Sequence, residues 1–309
     1  MVTTVTLNPA MDKTVQIHHF RVGEVNRVVR LRTDPGGKGI NVSKVLAALG
    51  GRSRIVAVLG GATGQKLADA LAQQGLDTDL VLAVAETRTN LKMIDPTGGT
   101  NTDVNEPGSP MAPETLAQVE QKLDQTLTPG DILVLAGSLP AGVPPTWYRD
   151  CILRYGDRGV KVFLDADDRL LQLGIQGNPY FIKPNREELS RIWGGSLDSP
   201  EQIAQAAASL HQGGIAKVMV SLGGEGALLV SDQGTLYAPA VPVEVNSTVG
   251  AGDSMVAAFA YGQEQGLTDR ESFCLAMAAG AAAVGCSGTQ APDREAIHRL
   301  LPLVAPVNL

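Results

Sequence analysis

Short apolar runs and longer amphipathic runs alternate along most of this chain, and that alternation restricts the fold more than any other feature of it. DILVLAGS is followed by TWYRDCILRYG and then by VKVFLDA, a strand, a helix and a strand by their hydrophobic spacing. VTTVTLN reads as a first strand of β-branched residues, and SRIVAVLGG as a buried strand. INVSKVLAALGG, GQKLADALAQQG, ETLAQVEQKLDQTL, NREELSRIWG and PEQIAQAAASLHQGG carry helical spacing, and most are closed by glycine. KVMVSLGGEGALLVSDQGTLYA reads as three strands joined by two turns. One helix is expected after Gly252 and another over Cys274. Repeated βαβ units predict an α/β protein, a mostly parallel sheet with helices on both faces. Ligands of such sheets bind beyond the C-terminal strand ends. The small-residue loops GSLPAG, SLGGEG and VGAGD fall at those ends.

Two segments interrupt the alternation. Lys13–Thr33 reads as two strands about a turn near Gly23, and Arg88–Asn105 as two strands about a Thr-Gly-Gly turn. Neither has room for a crossover helix. The expected division is a core of residues 1–12, 34–87 and 106–309, with a small β-sheet lid of 13–33 and 88–105 over the site. A flap of this kind has an apolar face to cover, so a homodimer through the lid is expected.

Composition narrows the function. The formal net charge of −7 disfavours nucleic acid and anionic membranes as partners, since both call for a basic field. Cys151, Cys274 and Cys286 form no C-x-x-C pair, so neither a disulfide framework nor a structural zinc site is expected. With an N-terminus that lacks the charged-then-apolar form of a signal peptide, this fits a cytoplasmic protein. Ser272–Pro292 carries no charge, but it is rich in Ala and Gly and poor in Leu, Ile and Phe. It reads as a buried helix with a loop after it rather than a membrane span.

Walker-A, G-x-G-x-x-G, G-x-S-x-G and H-E-x-x-H patterns are all absent. Glycine loops that open helices are present. NSTVGAGDS leads into MVAAFAYG; such a loop aims backbone N–H groups at one point and attracts anions. Asp253 at its mouth is either a helix cap or a base standing beside a phosphate. At the ordinary carboxylate value of ~3.9 it is expected to be ionised at neutral pH. PGGKGIN is a second such loop, a tight turn or a close approach to ligand with a lysine beside it. Asp12, at the end of the first strand, either caps a turn or accepts sugar hydroxyls. Arg27 and Arg88 stand on the two flaps as solvated charges or as a phosphate clamp. In IKPNREE, Asn185 and Glu188 form a capping box or orient water on Mg²⁺.

Taken in order, TLNPAMD, PGGKGIN, GGATG, TRTNLK, GSLPAG, KPNREE, SLGGEGAL and STVGAGDS resemble the ribokinase-like carbohydrate kinases of the phosphofructokinase-B family over nearly the whole chain. The resemblance implies a three-layer α/β/α sandwich with a β lid, and ATP and Mg²⁺ as cofactors. It implies that Asp253 is the base, with Gly250, Ala251 and Gly252 as the anion hole for the migrating phosphoryl group. Asp12, Gly37, Lys38, Gly39 and Asn41 would hold the sugar, and Arg27, Arg88 and Ser138 the phosphate already on it. Ser221, Leu222, Gly223, Gly224, Glu225 and Gly226 would line the ATP site, with Lys183 and Asn185 near its phosphates. Glu188 would belong to the magnesium motif. Within the family the motifs look most like enzymes that phosphorylate fructose 1-phosphate at the C6 hydroxyl. Kinases of tagatose 6-phosphate or fructose 6-phosphate are the near alternatives, and a non-catalytic sugar-phosphate sensor the alternative of another class. One departure is local: after VFLD, members of the family often have a turn of small residues, where this chain has Ala166-Asp167-Asp168-Arg169-Leu170.

Overall fold

Residues of β-strands point alternately to opposite faces, and the two main apolar clusters of this protein are sorted by that period. Leu133 and Leu135 belong to one cluster, Ile132, Val134 and Ala136 to the other. Val162 and Leu164 are split from Phe163 in the same way, and Val218 and Val220 from Met219. Each strand is therefore buried on both faces, as a sheet between two helical layers must be.

The computed structural model describes residues 1–286 and 290–309. Its first third runs β1 (Val2–Thr6), β2 (Ala10–Gln16), β3 (Arg30–Gly36), α1 (Lys38–Ala48), β4 (Ser53–Gly60), α2 (Gly61–Gln73), β5 (Asp77–Ala83), β6 (Arg88–Asp95) and β7 (Thr100–Asn105). Then come α3 (Pro113–Thr126), β8 (Ile132–Ala136), α4 (Trp147–Gly156), β9 (Lys161–Asp165), α5 (Asp168–Gly174), β10 (Phe181–Ile182), α6 (Arg186–Trp193) and α7 (Pro200–Gln212). The chain closes with β11 (Lys217–Ser221), β12 (Ala227–Ser231), β13 (Gly234–Ala238), α8 (Ala251–Glu264), α9 (Asp269–Val284), α10 (Arg294–Leu300) and β14 (Val307–Asn308).

The large sheet has the order β14-β13-β12-β11-β10-β9-β8-β1-β4-β5. From β5 to β11 every pairing is parallel; β12, β13 and β14 add antiparallel strands at one edge. Side chains of α3 to α7 enter one apolar cluster, and those of α1, α8, α9 and α10 the other. Phe163, Phe181 and Phe259 stack in the second, with successive centroids 4.6 and 4.7 Å apart. Small residues let α8 and α9 lie close: a Cβ on Gly262 would meet Ser272 Oγ at 2.5 Å. The uncharged stretch that begins at Ser272 is thus mostly the buried helix expected. The loop expected after it falls partly on residues 287–289, outside the described residues. Among the described residues no helix is long and apolar enough to cross a membrane.

The lid is a separate sheet, β3-β2-β6-β7. Its two hairpins are joined by parallel pairing of β2 with β6. It starts earlier and ends later than the sequence predicts, because β2 begins at Ala10 and β3 runs to Gly36. Asp12 consequently stands in a lid strand, not at the end of β1. The link from β2 to β3 is a long loop rather than a turn at Gly23. Asn26 ties it to itself through Arg21, and Asp95 anchors it by accepting the N–H groups of His19 and Phe20.

Candidate active site

A cleft of roughly 1030 Å³ opens between the lid and the C-terminal ends of the parallel strands. At its centre α8 begins. Gly250 is the N-cap, in a left-handed conformation (φ 82°) that favours glycine, and no side chain caps the helix. The first-turn N–H groups therefore lack a side-chain acceptor, and the positive end of the helix dipole faces the cleft. Asp253 is three residues inside the helix, so the capping alternative does not hold. Its carboxylate is 7% exposed and accepts from Asn41 Nδ2 at 2.8 Å.

Asp253 does not have the ordinary carboxylate value expected from sequence. Burial, followed by the negative charge of Asp165, pushes it up to about 6; Lys38, the Asn41 hydrogen bond and Lys183 pull the other way. Asp165, also buried, goes in the opposite direction. Burial raises it, but Lys183 and Lys38 outweigh burial and hold it below the usual range. Lys38 Nζ is 3.5 Å from Asp165 Oδ1 and 2.7 Å from Asp167 Oδ1, and Lys183 Nζ is 4.0 Å from Asp165. Two neighbouring carboxylates with values driven apart are the arrangement that separates a permanent charge from a proton acceptor. Asp165 and Asp167 were not singled out in the sequence, where VFLDADD is merely a strand end and a polar turn. Asp167 lies in the segment that departs from the family pattern, and it is the closer partner of Lys38.

Gly252 has a steric reason. A Cβ there would lie 3.0 Å from Lys183 Nζ, so glycine lets the ammonium rest across the first turn of α8. Asn185 and Glu188 form the capping box: Asn185 Oδ1 accepts from Glu188 N–H, and Glu188 Oε2 from Asn185 N–H, both at 2.8 Å. Both residues also line the cleft, each with part of its polar group uncommitted. Burial raises the Glu188 carboxyl above its ordinary value. Among the described residues there is no group of three or more His, Cys, Asp or Glu side chains able to hold a metal.

The sugar end is partly as expected. Asp12, Gly37, Lys38, Asn41 and Arg88 line the cleft together. Asp12 Oδ1 accepts from Asn90 Nδ2 at 3.0 Å, and a Cβ on Gly36 would stand 2.1 Å from Asp12 Oδ2. Arg88 donates to Asn8 O at 3.0 and 3.2 Å and to Glu106 O at 2.7 Å, which fixes its fork. Ser138 accepts from Asn8 Nδ2 at 3.0 Å but is exposed and not among the residues that line the cleft. Gly39 does not line the cleft; a Cβ there would collide with Thr6 Oγ1 and Val5 O, so it serves close packing of α1 on β1. Arg27 is not brought in either. It is exposed on the β2–β3 loop, among His18, Arg21 and Glu24 in a shallow surface hollow.

At the nucleotide end Ser221, Gly223, Gly224 and Gly226 line the cleft. Leu222 turns into the core, and Glu225 turns away to pair with Arg186. The opposite wall was not foreseen: Val241, Val243 and Val245 from the loop before α8, with Met277, Ala281 and Val284 of α9. It offers an apolar slot suited to a flat base, made from valines that carry no motif.

A mostly parallel α/β sandwich, a β lid and an uncapped helix start beside a buried carboxylate are the frame of a sugar kinase of the ribokinase-like kind. The model of the pfkB family of carbohydrate kinases matches residues 5–296, and the chain belongs to that family. It is 38% identical to the 1-phosphofructokinase of Haemophilus influenzae over 98% of this chain and 97% of that protein. It is 36% identical to the 1-phosphofructokinase of Rhodobacter capsulatus over 100% and 98%. Its fold is similar to that of Escherichia coli phosphofructokinase-2 in complex with fructose-6-phosphate, with a TM-score of 0.93, 29% identity and 98% of each chain covered.

Proposed function

We propose that this protein transfers the γ-phosphoryl group of ATP to the C6 hydroxyl of fructose 1-phosphate, giving fructose 1,6-bisphosphate and ADP. The observation that carries the reading is Asp253, a buried carboxylate poised at about 6 beside the uncapped first turn of α8. The names of the similar proteins support the choice of sugar. Asp12 and Asn41 orient sugar hydroxyls, and Arg88 binds the phosphate already present. Asp253 accepts the C6 hydroxyl proton as the oxygen attacks. Gly250, Ala251 and Gly252 present their N–H groups to the phosphoryl group, and Lys183 neutralises its charge. Ser221, Gly223, Gly224 and Gly226 flank the nucleotide against the valine wall. Asn185 and Glu188 would hold Mg²⁺ through water, and the ion would supply charge neutralisation of the ATP phosphates.

The test is ADP release with Mg²⁺ and ATP on fructose 1-phosphate, fructose 6-phosphate and tagatose 6-phosphate. Preference for the first is expected. Preference for either of the others would keep the chemistry and change the substrate. Binding of sugar phosphate without turnover would favour the sensor reading.

A homodimer through the lid belongs to the same proposal. Val22, Val25, Val28, Val29, Leu31 and Val104 are exposed on the lid and its loop, apolar side chains that a partner copy would cover.

A further inference from the structure

Among the described residues three lysines reach the cleft, and two of them form ion pairs, Lys38 with Asp165 and Asp167 and Lys183 with Asp165 at 4.0 Å. Lys92, on β6, does not. It is 8% exposed and lines the cleft, and its side chain donates to the neutral hydroxyl of Ser247 at 3.0 Å. Among the described residues no carboxylate forms an ion pair with it; Asp103, directly opposite on β7, lines the same cleft without reaching ion-pair contact. A buried ammonium with no carboxylate in contact is costly. One hydroxyl satisfies one of its three donors and none of its charge. Such a cation fits a site whose counter-ion arrives as ligand.

Its place on the strand indicates which ligand. Alternate strand residues face the same side, so Arg88, Asn90 and Lys92 share one face of β6, and all three line the cleft. Arg88 and Lys92 are separated by roughly 13 Å of strand at ~3.3 Å per residue. Asn90, between them, donates to Asp12, and its side-chain carbonyl oxygen is buried with no partner among the described residues, an acceptor suited to a sugar hydroxyl. One strand thus presents a cation, a hydroxyl acceptor and a second cation in line. That order matches a sugar with an anionic group at each end. Arg88 faces the phosphate that is already there. Lys92 is at the other end, bonded to Ser247, three residues before the N-cap of α8.

The geometry points to Lys92 as a ligand of the migrating phosphoryl group, the γ-phosphate of ATP that becomes the second phosphate of the product. This rests on the sugar-phosphate kinase reading and adds to it a contact delivered by the lid rather than the core. In the step it serves, the sugar C6 oxygen bonds to the γ-phosphorus. The bond from that phosphorus to the β,γ-bridging oxygen breaks, its electron pair leaves with ADP, and the hydroxyl proton passes to Asp253. Lys92 binds the non-bridging oxygens through its side-chain nitrogen. A merely structural Lys92 would instead pin the lid to the core through Ser247.

Three variants separate these roles: Lys92→Met, Lys92→Arg and Ser247→Ala. Each is assayed for kcat and KM, and for binding of ADP and of a non-hydrolysable ATP analogue by calorimetry, after circular dichroism has verified folding. Lys92→Met is expected to lower kcat by about 100-fold or more, in the range of a lost transition-state charge contact. It should weaken the triphosphate analogue about tenfold and leave ADP unchanged. Lys92→Arg should recover most of both losses, and Ser247→Ala should stay within about threefold of wild type. Equal losses for Ser247→Ala and Lys92→Met would overturn the inference in favour of the pin. So would a Lys92→Met protein that still separates triphosphate from diphosphate as wild type does. If wild type itself turns over no sugar phosphate, the kinase reading fails, and the two nucleotide affinities still decide the role of Lys92. If Lys92→Met does not fold, Lys92→Gln takes its place, and losses in Ser247→Ala equal to those in Lys92→Gln overturn the inference in the same way.

Discussion

Asp253 is a carboxylate that the protein makes harder to ionise, and the consequence is visible in pH. Its value in the folded protein is raised to about 6, so the carboxylate is a competent base above that pH and is protonated below it. With fructose 1-phosphate as substrate, kcat/KM is expected to be level above about 6 and to fall about tenfold per unit below it. A stopped assay across pH 4.5–8 with a pH-stable coupling system measures this. Asp253→Asn should keep nucleotide affinity while kcat drops by ~10²–10⁴-fold, the usual worth of a general base; turnover near wild type would remove the residue from that role. Gly252→Ala is expected to fold normally but to displace the Lys183 ammonium, raising KM for ATP about tenfold, equivalent to ~1.4 kcal/mol of lost contact. Asp253, Lys38 and Asn41 are legible in the sequence because they stand in glycine loops around a charge, whereas Lys183 and Arg88 stand out only through the order of the motifs KPNREE and TRTNLK. Asp165 is not legible there, since a strand-ending aspartate has no local signature and acquires its meaning from Lys38 and Lys183, which lie far away in the chain. Leu222 and Glu225 belong to the same contiguous motif but do not line the cleft, because neighbouring residues of such a turn point in different directions.

Elements show the same division between local and distant information. Helices α1, α2, α6 and α7 announce themselves by spacing and by their stops. β5 does not, because DTDLVLA opens with polar residues, and its membership of the sheet comes from pairing with β4. The start of β2 was misplaced for a related reason: TLNPAMD contains a proline and reads as one strand end, whereas the chain turns there from one sheet into another. The α8–α9 contact gives a stability test. Gly262→Ala gains up to ~1 kcal/mol of helix propensity but drives a Cβ into Ser272, including its backbone at 3.0 Å. Overpacking costs ~1–3 kcal/mol, so net destabilisation is expected. Gly156→Ala, at the end of α4 with no atom in the way of the new methyl, is expected to be neutral or stabilising by a few tenths to ~1 kcal/mol. Urea midpoints of the two variants check the opposite signs.

For the molecule as a whole, two sheets meet over one cleft, and the lid supplies Asp12, Arg88, Asn90 and Lys92 to it. Val28→Asp, on the exposed apolar lid surface, is expected to shift a lid-mediated dimer to monomer in light scattering. An unchanged mass at equal concentration would place any self-association elsewhere. The lid also has a history within each molecule's own folding. Its central pairing joins β2 to β6, residues such as Lys13 and Leu91 that the chain brings together only after β3, α1, β4, α2 and β5 have intervened. Contacts between such distant segments form slowly, because the intervening loop must first be closed. The β4–β5 scaffold on which that closure depends must therefore come first. A refolding chain should acquire its nucleotide slot, built from β11 to α9, before it acquires its sugar pocket, and competence to hold both substrates should be the last property to return.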